Sequence, residues 1–185
     1  MPSPGDAVTT LETAHGTFLV RYPVIEDVDQ MLIYINALSR ERTYTNMQGE
    51  QLTIESETVW LTAQLEGIEA GNVIQLLIIR DDEIVGIAGI RRQTHVSQHI
   101  GVLGISIKQA YRGRGLGRAL MNVVISEAQK HLEGLRMIAL DCFGSNAPAI
   151  HLYRSLGFIE YGRLPGGIIR NGESVDRVMM YLPLQ

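Results

Sequence analysis

The stretch Tyr111-Arg-Gly-Arg-Gly-Leu-Gly-Arg118 gathers the residue types that hold an anion. Glycines at 113, 115 and 117 let the backbone approach a ligand closely and turn its N–H groups outward. The helix that begins at Leu116 adds its positive N-terminal end. Arg112, Arg114 and Arg118 add charge beside it, a combination suited to a phosphate or pyrophosphate. The other reading of the same residues is a tight strand-to-helix turn with solvated arginines. Spacing excludes two standard nucleotide loops. A P-loop needs Lys-Ser/Thr after its last glycine, where this chain has Arg118-Ala119. The dinucleotide fingerprint is Gly-x-Gly-x-x-Gly after a first strand, whereas Gly-x-Gly-x-Gly here follows the fourth predicted strand.

Other residues offer chemistry less plainly. Tyr153 shares a short helix with Ile150, Leu152 and Leu156, which on residue types alone makes it a core tyrosine. Gly101 and Gly104 interrupt an apolar strand, which weakens it unless a bulge or a close backbone partner sits there; relief of crowding under a helix is the alternative. His95 and His99 are four apart but have no cysteine or carboxylate companions, so no metal site is expected. Cys142 lies in an apolar strand and reads as a small core residue.

These residues need a scaffold, and the hydrophobic periodicity supplies one. Residues 1–14 read as a flexible tail, with two prolines and a glycine, ahead of a single domain over 15–185. Gly16 to Arg21 suits a first strand. Val28, Met31, Leu32, Ile35 and Leu38 follow helical spacing, a polar loop covers 43–52, and a second helix runs from Glu55 to about Ala70. Val73–Arg80 and Ile84–Ile90 form a hairpin through Asp81-Asp82-Glu83, and Ile100–Ile107 is a further strand. Leu116, Leu120, Val124, Ala128 and Leu132 step along one helix face that Gly134 ends. A strand over 136–143, a short helix capped by Asn146 and two strands around 158–161 and 176–182 complete the chain, the last two flanking a Gly/Pro loop. The order β-α-α-β-β-β-α-β-α-β-β predicts an α/β sandwich with a mixed sheet.

Composition bounds the function. A chain of 185 residues is one domain on size, and 45% hydrophobic with 19% charged residues is ordinary globular usage. The net charge of −4 argues against a dedicated nucleic-acid binder. One cysteine excludes a disulfide framework. The apolar runs are too short to span a bilayer, and the N-terminal residues carry no signal-peptide pattern, so a cytoplasmic protein with no membrane partner is expected.

Two segments together resemble the GNAT superfamily of N-acetyltransferases. Arg112-Gly-Arg-Gly115-Leu-Gly117 is similar to its Arg/Gln-x-x-Gly-x-Gly/Ala loop, and Asn146-Ala-Pro-Ala-Ile-His-Leu-Tyr153-Arg-Ser-Leu-Gly157-Phe158 is similar to its second block. The resemblance covers roughly residues 15–185 and implies a mixed, mostly antiparallel sheet flanked by helices. It further implies acetyl-coenzyme A as co-substrate, with residues 112–118 and Asn146 holding it. Ile105 and Ile107 would offer main-chain groups to the pantetheine arm where two strands splay. Tyr153 takes the place of the family's general acid: a phenol of pKa about 10 can stabilise a departing thiolate whose conjugate acid sits near 8.5. Many members carry a carboxylate on the fourth strand as base, where this chain has Val102. The base is therefore unassigned, with His99 and His95 as candidates by their near-neutral titration. Arg91-Arg92 reads as a solvated strand end or a contact to the coenzyme's adenosine phosphate.

The expected reaction is acetyl transfer to a primary amine of a small molecule or peptide. The alternative is a non-catalytic acyl-coenzyme A-binding or partner-binding module on the same fold. The family's acceptor entrance corresponds to residues 39–52 and 163–174, where Glu41, Tyr44, Glu50 and Glu173, with Asp176 beyond, predict either an acidic mouth suited to a cationic amine or a solvated acidic rim. The oligomeric state is open, with a homodimer one outcome.

Overall fold

The computed structural model describes residues 1–14 and 16–184. Its centre is an eight-stranded sheet in the order β1-β2-β3-β4-β5-β6-β8-β7. The strands are β1 Ala7–Thr13, β2 Gly16–Arg21, β3 Val73–Arg80, β4 Glu83–Arg92, β5 Ile100–Ile107, β6 Met137–Phe143, β7 Ile159–Arg170 and β8 Glu173–Pro183. Neighbours run antiparallel throughout, except β5 and β6, which the crossover helix makes parallel. The helices are α1 Val28–Arg40, α2 Ile54–Glu69, α3 Leu116–His131 and α4 Ala147–Ser155. The mixed, mostly antiparallel sheet between helices is the architecture expected from the sequence.

Both faces of the sheet are covered, which explains the unbroken apolar run of β3. On one face Leu116, Leu120, Met121, Val124 and Ala128 of α3 pack with Ile74, Leu76, Ile78, Ile90 and Leu103. On the other, Met31, Tyr34 and Leu38 of α1 and Leu61 of α2 close over Leu77 and Ile84. No helix among the described residues is long and apolar enough to cross a bilayer.

Two expectations need correction. The flexible tail over residues 1–14 holds strand β1, paired antiparallel with β2. Val8 and Leu11 pack against the core, and this apolar contact outweighs the Pro- and Gly-rich start. The element order therefore gains a strand ahead of the expected eleven elements. The Gly/Pro loop over residues 163–174 is instead the body of a long β7–β8 hairpin. A register shift between Leu164 and Ile168 absorbs Pro165, Gly166 and Gly167, and Asn171 and Gly172, both at positive φ, form the turn.

Candidate functional site

Beyond Val102 and Ala139, β5 and β6 part. Their parallel pairing covers only Ile100–Val102 against Met137–Ala139, whereas β5 stays registered to β4 along its length. Main-chain direction alternates along β5. Lys108 N donates to Val85 O, and Ile100 O accepts from Gln93 N, so even-numbered residues face β4. Odd-numbered residues face the other way: His99 O accepts from the first residues of the β6 side, Arg136 and Met137. The N–H and C=O groups of Leu103 and Ile105 therefore point into the gap, and the gap asks for a ligand with amide groups. Ile107 O is already taken by Arg112 Nε at 2.8 Å, which removes its carbonyl from the expected set.

The end of the gap is the glycine loop. Gly113 and Gly115 lie at φ 72° and 81°, a conformation glycine adopts without strain, and a Cβ on either would meet nothing within 4 Å. Gly115 is the N-cap of α3, and no side chain caps that helix. The first N–H groups, those of Leu116, Gly117 and Arg118, thus lack a capping side chain at the positive end of a 16-residue helix. The space beside Gly113 and Gly115 is open, as an anion held on such N–H groups requires. Leu116 contributes main chain only, since its side chain is buried in the core. Gly117 sits against α4, where a Cβ would be 3.6 Å from Leu152.

The loop's arginines are differently placed. Arg112 pairs with Glu41 at 2.6 Å, Arg114 lies over the Tyr111 ring, and Arg118 donates to Ser155 Oγ on α4. That last bond ties the start of α3 to the helix carrying Tyr153. Asn146 caps α4 by accepting from Ala149 N, leaving its amide N–H groups to donate elsewhere. Tyr153 is buried beside Phe158. Burial pushes its phenol up to about 12, with Cys142 and Asp141 nearby adding to the rise. It is therefore a fully protonated donor at neutral pH. Burial likewise raises the Cys142 thiol to about 11, an inert core thiol.

A model of the acetyltransferase (GNAT) family matches residues 39–158. The chain belongs to that family. An L-amino acid N-acetyltransferase from Escherichia coli is 35% identical over 107 residues, covering 57% of this chain and 65% of that protein. An acetyltransferase of the GNAT family from Streptococcus pneumoniae superposes with a TM-score of 0.82 at 29% identity, covering 91% of this chain and 99% of that one. A Salmonella typhimurium structure solved with its cofactor acetyl-CoA superposes with a TM-score of 0.78 at 20% identity, covering 91% of this chain and 94% of that one.

Within this GNAT domain the histidines stand apart. His99 immediately precedes β5 at the end opposite the gap, roughly 20 Å along the strand from Ile105 at about 3.3 Å per residue, and His95 precedes it. The structure does not bring either to Tyr153. Arg91 and Arg92 share that far end, bonded to Gln64 and to Gln98 O. Among the described residues no group of three or more His, Cys, Asp or Glu side chains gathers as a metal site.

Even-numbered side chains of β5 face α1 and α2, as Ser106 Oγ shows by its 2.9 Å hydrogen bond to Tyr34 Oη. Here Val102 is 42% exposed and Gly104 opens onto empty space, forming a trough on the opposite face from α3. The acidic mouth expected there is partly paired, with Glu50 and Glu173 keeping their charge outside any ion pair among the described residues. Glu41 holds Arg112, Asp176 holds Arg163, and Glu50 accepts from Gln48 N. Sequence reasoning missed two residues that border the gap. Leu103 needed only the strand's alternation to be found. Asp141, beside the gap and paired with Arg177 at 2.9 Å, needed the β6 register. On α2, Glu57 is 4% exposed and burial raises its carboxyl, a feature with no signal in the sequence beyond helical spacing.

Proposed function

We propose that the protein transfers the acetyl group of acetyl-coenzyme A to a primary amine of a small molecule or peptide, by direct attack in a ternary complex. The observation that carries this reading is the parting of β5 from β6 beside an uncapped helix start. The bound co-substrate supplies an activated thioester and a thiolate leaving group. Leu103 and Ile105 offer main-chain hydrogen bonds to its amide-bearing arm, as a neighbouring strand would. The N–H groups of residues 116–118, entered over Gly113 and Gly115, hold the diphosphate, with Arg114 and Arg118 alongside. Asn146, whose cap uses only its side-chain oxygen, has amide N–H groups available to donate to the arm.

Tyr153 keeps its proton at neutral pH and donates a hydrogen bond where negative charge develops on sulfur. The amine arrives along the Val102–Gly104 trough from the opposite face of the sheet. With His99 remote, the ammonium sheds its proton to water in that trough, so the rate climbs with pH toward the amine's own pKa as the neutral nucleophile accumulates. The test incubates the protein with acetyl-coenzyme A and a panel of amines and follows free thiol and acetylated product. Intersecting initial-velocity lines support the ternary complex. Parallel lines, or coenzyme binding without turnover of any amine, refute it.

A further inference from the structure

Beside the far end of β6 lies a cation that makes no ion pair among the described residues. The loop after α1 crosses the mouth of the gap: Tyr44 Oη donates to Ser145 O at 3.1 Å, and its ring packs edge-on to Phe143 at the end of β6. Arg170, last residue of β7, lays its guanidinium over that ring, 4.4 Å from the centroid. The other two hairpin arginines facing this region are engaged, Arg163 with Glu160 and Asp176, and Arg177 with Asp141. Arg170 makes no ion pair among the described residues. Its Nε–H is buried without an acceptor, although its cross-strand partner is Glu173.

A buried donor left unbonded costs free energy, so it calls for a partner, and a ligand group can be that partner. A guanidinium fixed on an aromatic face presents a planar fork that matches a carboxylate. We infer that Arg170 is the acceptor's anchor, and that the acceptor is an amine carrying its own carboxylate, an amino acid rather than a polyamine. This rests on the acetyl-transfer reading above and adds the substrate class to it. The aromatic pair Tyr44 and Phe143 supplies an apolar wall for the remainder of the molecule.

The test compares amino acids with their amides, and with spermidine, by thiol release at saturating acetyl-coenzyme A. A series of glycine, β-alanine and γ-aminobutyrate reads the spacing between amine and carboxylate. The expected result is a KM at least tenfold lower for carboxylates than for amides. In Arg170→Gln the carboxylate KM rises about 10- to 100-fold, the loss of one charge-assisted hydrogen-bonded pair, with kcat nearly unchanged, and Arg170→Lys recovers part of it. Calorimetry of the same amino acids with the coenzyme A-loaded protein gives a readout independent of turnover. Amides or spermidine used as well as carboxylates overturn the inference and leave acetyl transfer standing. A carboxylate preference that survives in Arg170→Gln overturns it as well. Carboxylate binding lost in Arg170→Gln, in a protein that acetylates no amine, upholds the anchor and overturns the reaction.

Discussion

Valine at position 115 separates backbone strain from ligand space. Gly115 has φ 81°, and its absent Cβ faces nothing within 4 Å, so the Cβ of Gly115→Val enters open space in the folded protein. The cost is conformational, about 1–3 kcal/mol for a side-chain-bearing residue held left-handed. For a domain of this size roughly 1 kcal/mol moves the melting temperature by 2–4 °C, so a drop of about 2–12 °C is expected and the protein stays folded. Gly134, at the other end of α3, has φ 75° and the same empty surroundings, which makes Gly134→Val a matched control. Acetyl-coenzyme A at about 100 times its dissociation constant adds roughly 2.7 kcal/mol to the wild type, a further rise of about 5–11 °C. Thermal melts with and without coenzyme, backed by calorimetry, should show that rise in wild type and in Gly134→Val. It should vanish in Gly115→Val, where two methyl groups occupy the space of the diphosphate. A folded Gly115→Val that keeps the full coenzyme-induced rise would refute the assignment of the loop.

Tyr153→Phe should lower turnover about 10²-fold with coenzyme affinity unchanged. The same variant should lessen the alkaline loss of stability: a phenol raised to about 12 by burial contributes stability that is whole below pH 10 and lost as pH climbs toward 12, as urea midpoints over that range would show. Glu57→Gln should melt higher than wild type at pH 8 and no higher at pH 4, because burial raises this carboxyl and favours its neutral form, so the advantage of wild type is confined to acid. Glu41→Gln should change stability by less than about 1 kcal/mol, since its ion pair with Arg112 is partly exposed, and should tighten coenzyme binding by up to about fivefold by freeing Arg112. Unchanged affinity by calorimetry would leave Arg112 as a strut between the two loops.

Local chemistry made much of this molecule legible. The start of α3 announces itself in the glycines, the four-residue steps of Leu116 to Leu132 define its buried face, and Asn146 with Pro148 marks the start of α4. What stayed hidden depends on partners far along the chain. Strand β1 gains its stability from Val8 and Leu11 meeting the core, which the threonines around them do not reveal. The Asn171-Gly172 pair was a readable hairpin signal, but Pro165-Gly166-Gly167 imitates a loop, and only the facing strand shows that a bulge accommodates it. The arginines of the loop looked alike in sequence. Their separate fates, with Glu41, the Tyr111 ring and Ser155, are decided by elements up to 71 positions away. Arg170 and Tyr44 meet for the same reason.

The alternation of β5 has an evolutionary consequence. Inserting or deleting one residue between Ile100 and Ile107 would exchange the strand's two roles, turning the groups that now face the gap onto β4 and reversing both side-chain faces. A length change there disrupts both roles unless a bulge absorbs the extra residue. Substitutions at 102, 104 and 106 are open, because they reshape the trough while leaving the main chain of 103 and 105 where it is. A new acceptor can thus be acquired by point mutation on one parity of a single strand, with the donor half inherited intact.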